Sequence, residues 1–585
     1  MNSQRNRWTR VTLAGVLALG LASSAVAQQG GQGRNNDPNA GAPYTPAAGA
    51  KDLRSVLFNW MLYQGMLKGT DERDMVAMLE YQAKGGTIQV DGQPCTLTKF
   101  RASTNYQTLS QRINYTCTRA GQSHSNIEVV SWQYAWNEDT PGAEIAGTKG
   151  KVTAMPAAVQ ERQIRLWASP QGAPKSALAG TMTSWTLGAN PGTVIADGVD
   201  KVGNTSVSWN AQGRPVVTFP IPGVPGATAV ATLDANNMTE KVVVTQGATT
   251  TEFTYSDYKD WNSKLNKIAV LYAGRMIEKK NGVVVRDLTT LETETGNVYV
   301  VAPVPPSVQK AMSVTTPAPK IVFAKQEPPA NTTAAVPRLG AHPDLTGNWA
   351  WNDWIGNYMG NGGRRCAPNQ EKPCNRSTNQ TEDFELYSPS RFGMLGRPLY
   401  KPEFWDKVQQ LDMWTNKEDP VMTCQPLGLP RQGPPRRIYQ TENDVTFLYN
   451  QFADAGGGLA EFRVIPIGNQ HGADAKYANK YYGDTTGRWE GDTLVLDSIG
   501  FVDTTWIGRG GYFHSDKMHI VERFTRVGDA INYDVTLEDP EVLAEPLVFP
   551  TRVIRRQNGG GAGITERGNC ETSFETDAAA TQIRH

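Results

Sequence analysis

The feature that most limits what this chain can fold into is a short run of alternating polar and apolar residues, repeated many times and closed by Gly, Asn, Asp or Pro. GTIQV, CTLTKF, INYTCT, PVVTFPI, ATAVATL, EKVVVTQ and TEFTYSDY recur through the first half. RRIYQTE, VTFLYNQ, AEFRVIPI, DTLVLDSIGF, MHIVERFTR, AINYDVTLE and LVFPTRVIRR do the same in the second. A two-residue period sends successive side chains to opposite faces, so each run reads as a β-strand with one face on a core. Helical spacing is confined to about residues 52–67 (DLRSVLFNWMLYQGML) and a short stretch around Ala157–Trp167. The predicted class is mainly β and antiparallel.

Between residues 302 and 343 prolines recur every few residues and the periodicity stops, as in a semi-extended linker. It separates residues 49–301, expected to be a curved sheet or half-barrel with a packed helix, from residues 344–575, expected to be a barrel. Each is long enough for its own core. Residues 28–48 are rich in Gly, Asn, Pro and Gln and read as disordered, and residues 576–585 as a tail.

At the N-terminus, Arg5, Arg7 and Arg10 precede an apolar run from Val11 to Leu21 and the small residues Ala25-Val26-Ala27. This is the pattern of a secretory signal peptide spanning residues 1–27. The apolar run is shorter than the roughly 20 residues that cross a bilayer, so no transmembrane anchor is expected. The expected location is periplasmic or secreted, with outer-membrane or envelope association left open. Six cysteines suit an oxidising compartment, and the pairs expected are Cys95–Cys117, Cys366–Cys374 and Cys424–Cys570. No C-x-x-C supports a structural zinc instead. A formal net charge of +0 without a Lys/Arg block argues against nucleic-acid binding. The 15 Trp and 20 Tyr fit large β cores more simply than stacking on a ligand.

Three resemblances add to this. The run VATLDANNMTEKVVVTQGATTTEFTYSDYKDW, Val230–Trp261, resembles the periplasmic lipoprotein-carrier and lipoprotein-sorting type of domain, which implies a half-open barrel around a helix that holds an acyl chain. In LTGNWAWNDW, Gly347 and Trp349 make the G-x-W of the first strand of lipocalin-like barrels. Asp419-Pro420, Cys424 to Arg431, GRWEGDTLVLDSIGF (487–501), His514-Ser515-Asp516, Glu522-Arg523 and Glu538-Asp539-Pro540 together resemble a family of exported bacterial proteins with no assigned activity. That resemblance implies a lipocalin-like barrel and no reaction.

Along the strand around MHIVERFTR, Met518, Ile520 and Phe524 alternate as an apolar face, and extending the parity puts His514, Asp516 and Glu522 on the same inward side. Ionisable groups on such a face are costly unless paired or used. One reading is an imidazole oriented by a carboxylate for acid/base work; a variant is a divalent metal held by all three. The other is a structural network in which Glu522 pairs with Arg488 or Arg431 and His514 is a satisfied core histidine. His519 falls on the opposite, exposed parity. Ser515, adjacent to His514, points to the other face and makes no triad with it. Glu252, Asp257 and Asp260 read as turn and edge charges, and His124 as a hairpin residue.

The preferred function is binding of a hydrophobic or aromatic small molecule, with Trp349, Arg431, Trp489 and Arg523 as pocket candidates and no cofactor. The alternative is a cofactor-independent lyase, isomerase or hydrolase using His514, Asp516 and Glu522. A non-catalytic envelope component is a third reading.

Overall fold

The computed structural model describes residues 46–66, 76, 78–106, 108–179, 204–260, 271–294, 299–315, 329–350, 398–411, 420, 425–450, 460–508, 511–549 and 551–557. The signal peptide, the Cys366–Cys374 and Cys424–Cys570 pairs and the C-terminal tail lie outside the described residues.

Thirteen strands of the first half form one antiparallel sheet. In chain order they are β1 (Met78–Val90), β2 (Gln93–Asn105), β3 (Ser110–Arg119), β4 (Gln122–Ser131), β5 (Tyr134–Glu138), β6 (Val152–Ala154), β7 (Ser206–Trp209), β8 (Pro215–Pro220), β9 (Thr228–Leu233), β10 (Thr239–Gln246) and β11 (Thr249–Ser256). A small separate pair follows, β12 (Lys259–Asp260) with β13 (Leu271–Tyr272), and then β14 (Arg275–Lys280) and β15 (Val283–Glu294). Across the sheet the order is β6-β5-β4-β3-β2-β1-β15-β14-β11-β10-β9-β8-β7. The sheet is strongly curved. β4 and β15 are four places apart, roughly 19 Å along a flat sheet, yet Arg286 of β15 reaches Glu128 of β4 at 2.8 Å.

Three helices cover the inner face, where the sequence predicted one packed helix and a second short one around Ala157–Trp167: α1 (Leu53–Tyr63), α2 (Val159–Trp167) and, unforeseen, α3 (Gly172–Ala179). α1 starts at Asp52, whose carboxylate accepts from the Ser55 amide at 2.9 Å, an N-cap. Its Val56, Leu57, Trp60 and Met61 enter the core. α2 docks through Arg165, which holds Glu278 of β14 with its Nε at 2.9 Å from both carboxylate oxygens and also contacts Glu161. α3 (GAPKSALA) is almost entirely buried, which erases the polar face that periodicity needs.

The disulfide Cys95–Cys117 is present, with a Cα separation of 5.6 Å. The two cysteines are diagonal rather than directly opposite, because Leu97 faces Cys117 and a register irregularity lies between Leu97 and Lys99. At Gly86 (φ 120°) a side chain is barred, since a Cβ would stand 2.0 Å from the Asp287 carbonyl oxygen.

The connection between the halves contains α4 (Pro306–Met312), whose Val308 packs with Ile127, Val129 and Trp136 on the outer face of the first sheet. A two-stranded pair follows, β16 (Arg338–Leu339) and β17 (His342–Pro343).

The second half is built from β18 (Gly347–Ala350), β19 (Arg437–Gln440), β20 (Asp444–Asn450), β21 (Ala460–Pro466), β22 (Asp484–Glu490), β23 (Thr493–Ile499), β24 (Trp506–Gly508), β25 (Tyr512–Phe513), β26 (His519–Val527), β27 (Ala530–Glu538), β28 (Leu547–Val548) and β29 (Arg552–Arg556). Nine strands run β21-β20-β19-β18-β29-β27-β26-β23-β22, with β28 beside β27 and β24-β25 as a separate pair. One parallel bridge, Ile467 to Gly487, joins the two ends, so the sheet is a nearly closed barrel. Phe447, Tyr449, Leu494, Leu496, Phe524, Ile531, Tyr533 and Trp349 fill its core. A short helix, α5 (Trp405–Gln410), reaches back to the first half, where Arg112 stacks on Trp405 at 4.6 Å.

Candidate functional site

His514 is buried and fixed at both ring nitrogens. Nδ1 is 2.8 Å from the Ser515 carbonyl oxygen, an acceptor, so Nδ1 carries the proton and donates. Nε2 therefore accepts from the Thr505 hydroxyl at 2.7 Å. Burial lowers the His514 pKa below the ordinary histidine value, with Asp539 and Asp503 opposing, so the ring is held neutral. Asp539 braces the same turn, accepting from the Ser515 amide at 2.7 Å and its hydroxyl at 2.8 Å.

Glu522 lies in the barrel interior on β26, fully buried. Its partner is neither Arg488 nor Arg431 but Arg463 of β21, whose Nη1 is 2.7 Å from Oε2. Tyr533 donates to Oε1 at 2.7 Å. Arg463 also donates to Tyr449 at 3.1 Å, Thr485 at 2.9 Å and Ser498 at 3.3 Å. Both Arg463 Nη atoms are thus engaged, offsetting part of the cost of burying the pair, while its Nε is buried without a hydrogen-bond partner.

Asp516 corrects the sequence reading. It is exposed and pairs with Lys517 at 2.6 Å. β26 begins at His519, and the chain turns through Ser515–Lys517, with the Met518 amide donating to the Ser515 carbonyl at 3.3 Å, so strand parity does not extend back to Asp516. His514 and Glu522 are both buried but share none of their hydrogen-bond partners. Among the described residues no group of three or more His, Cys, Asp or Glu side chains is arranged to hold a metal ion.

Of the pocket candidates, Trp349 is in the core and donates to the Leu345 carbonyl at 2.9 Å. Trp489 stacks on His342, ring centroids 4.5 Å apart and 3° from parallel. Arg523 is half exposed and pairs with Glu490 at 2.9 Å. Arg431 is buried within Leu427–Pro435, and beside it the Gln432 side-chain oxygen accepts from Tyr482 at 3.2 Å. Tyr482 in turn stacks on Tyr449, 6.0 Å between centroids. Trp349 lies in the barrel core and Trp489 packs against that core, whereas Arg523 lies on the alternate, partly exposed face of β26.

A second group of buried aromatic side chains lies on the inner face of the first sheet. Tyr81 stacks on Phe100 and Tyr272, with centroids 6.0 and 5.3 Å away, and Tyr106 and Trp167 meet at 6.1 Å. Burial pushes the Tyr81 hydroxyl up to about 12 and raises Tyr255 and Tyr272 well above the ordinary tyrosine value. Tyr106 shares a hydrogen bond with Ser169 at 3.0 Å, and Tyr255 donates to the Ala168 carbonyl at 2.8 Å. Lys175 places its ammonium 4.9 Å from the Tyr106 ring, and burial lowers its pKa well below the ordinary lysine value.

Gln171, in the turn between α2 and α3, is fully buried. Its Nε2 donates to the Leu271 carbonyl at 2.8 Å, while its Oε1 is buried with no hydrogen-bond partner. None of these first-half positions was singled out from the sequence as a site. SPQGAP carries no motif, and the tyrosines sit in strands like any core residue.

No family model matches the chain, so the resemblance of the second half to a family of exported proteins finds no support. No curated protein matches it either. Among solved structures, a LolA superfamily protein from Nitrosomonas europaea aligns at 9% identity and a TM-score of 0.21, covering 42% of this chain and 92% of that one. A likeness of that size carries no argument about ligand or activity.

Proposed function

We propose that this chain binds a hydrophobic or aromatic small molecule between the helices and the inner face of the first-half sheet, and that it does so outside the cytoplasm, in the periplasm or secreted. The observation that carries the reading is Gln171 Oε1, an acceptor buried without a donor beside an aromatic wall. Leaving such a group unsatisfied costs about 1–3 kcal/mol, which a ligand N–H or O–H would remove. Apolar walls with few polar groups are the usual make-up of small-molecule sites. Cys95–Cys117 supports an oxidising compartment. Among the described residues no helix is long and apolar enough to cross a membrane.

The test has two parts. Native mass spectrometry of the full chain from its own cells should show a bound mass released by organic solvent. The emptied protein should then bind the apolar fluorophore N-phenyl-1-naphthylamine, and Gln171→Leu should weaken rebinding of the released molecule about tenfold, the worth of one hydrogen bond. A chain that carries no molecule and does not bind the fluorophore would sink the proposal. In the second half, the His514 lone pair already accepts from Thr505, which supports a structural role for that pair over general-base catalysis.

A further inference from the structure

The barrel of the second half is closed at one place by very little backbone. β21 and β22 meet through the Ile467–Gly487 bridge and the Gly468 amide, which donates to the Gly487 carbonyl at 2.8 Å. On the inside the seam is stapled by Arg463 of β21, which donates to Thr485 of β22 at 2.9 Å. On the outside it is stapled by His471, four residues beyond the bridge. His471 Nδ1 is 3.1 Å from Asp484 Oδ1 of β22, and its Nε2 is 3.1 Å from Asp497 Oδ1 of β23.

An imidazole flanked by carboxylate oxygens on both nitrogens donates to both only as the imidazolium. When neutral, one nitrogen turns a lone pair toward an anion, and the contact becomes repulsive. The same Asp497 oxygen is 3.1 Å from His519 Nε2 of β26, and His519 Nδ1 is 3.8 Å from Glu538 of β27. Two imidazoles and three carboxylates are thus linked in one chain along the barrel wall. The remaining charges facing it are Lys480, 3.2 Å from Asp484, and Arg488, 3.9 Å from Asp497 and bonded to Glu490, which also holds Arg523.

We propose that His471 is a proton-dependent clasp on the barrel seam, closed when His471 and His519 are charged and loosened when they are neutral, so that pH sets how firmly β21 and β22 are held together. The signs agree with this. The hydrogen bond to Asp497 raises the His519 pKa, so its contribution is full at low pH and fades as pH rises through the raised value. Asp497 is lowered, first by the His519 hydrogen bond; burial raises Asp484, but its bonds to His471 and Lys480 outweigh that. Both carboxylates therefore stay charged until pH falls below the ordinary carboxylate range. The clasp is tightest where the carboxylates are ionised and His519 is charged, and it loosens as pH rises through the raised His519 value.

The experiment is amide hydrogen exchange of the full chain at pH 5.5 and 8.5, with rates corrected for the intrinsic effect of pH. Protection of residues 460–468 and 484–487 should fall about tenfold at the higher pH while the core of the first sheet is unchanged. His471→Gln should show the low protection at both values. Equal protection at both pH values in the native chain, or a pH difference that survives in His471→Gln, would overturn the proposal. Should that variant fail to fold, the native His471 resonance decides: a ring that is neutral at pH 5.5 refutes the clasp, and one charged there that titrates in step with the loss of protection upholds it.

Discussion

Replacing Arg463 by Met would remove four side-chain hydrogen bonds and leave the Glu522 carboxylate inside the barrel with Tyr533 as its remaining partner among those described above. Arg463 and Glu522 have side chains 4% and 0% exposed, so neither charge gains appreciable hydration when the other is lost. Stranding a buried charge in this way costs about 3–5 kcal/mol. For a barrel of this size each kcal/mol lowers the midpoint by about 2–4 °C, so a fall of at least 6 °C is expected in the transition of the second half. The double variant Arg463→Met with Glu522→Leu removes the stranded charge. It leaves only hydroxyls to re-pair, and Thr485 and Ser498 already share a bond of 2.8 Å. It should therefore be more stable than Arg463→Met alone despite carrying an extra substitution. The assay is thermal unfolding followed by near-ultraviolet circular dichroism, with hydrogen exchange assigning the transition to the second half. A double variant no more stable than the single one, or a single variant within 1 °C of the native chain, would refute this account of the interior.

Other outcomes follow from particular residues. Gly86→Ala should destabilise the first half by more than about 1 kcal/mol, measured by urea unfolding, because φ 120° and the Asp287 carbonyl both oppose a side chain. Asp516→Asn, at an exposed surface pair, should change stability by less than about 0.5 kcal/mol in the same assay. Glu161, held at about 2 chiefly by Arg165, stabilises the fold fully above the ordinary glutamate range and loses that contribution as pH falls through about 2. Glu161→Gln should flatten the acid limb of a stability–pH curve. Losing the Cys95–Cys117 bond by Cys→Ala at both positions should cost about 3 kcal/mol for a sequence separation of 22 residues, read as a shift in urea midpoint.

The alternation of polar and apolar residues was enough to reveal the strands and, where one face only is apolar, which face is buried. In MHIVERFTR it placed Met518, Ile520, Glu522 and Phe524 inside, as they are. It failed just upstream, where a turn interrupts the strand and frees Asp516. In AEFRVIPI apolar residues occupy both faces, and hydropathy favours burying Phe462 and Val464; these are 66% and 60% exposed, while Arg463 and Ile465 are inside. The face is settled by pairing of Phe447 with Arg463 and by the acid on β26, both long-range facts that no local window contains. Gln171 sits in a turn and His471 in irregular chain, both without periodicity, so their roles depend wholly on what the fold brings beside them. α3 was unreadable for a related reason, since burial on all sides removes the polar stripe that marks a helix.

The chain between the halves has a consequence for how the protein could be divided. Tyr299 belongs to the core of the second half, its hydroxyl donating to the Pro398 carbonyl at 2.7 Å and accepting from the Tyr400 amide at 3.0 Å. Val300 belongs to the first half, packing on Met78 with its carbonyl held by Asn105 at 3.0 Å. Val301 is shared, its carbonyl held by Arg112 at 2.8 Å while its side chain packs against the second-half core. Val308 then completes an apolar cluster against Trp136. Ownership thus changes sides within consecutive residues, and any cut here strips a core residue from one half or uncovers tryptophan on the other. Two halves joined in this way are expected to be exchanged between genes as one block, and to tolerate insertions in surface turns better than a new partner at residue 302.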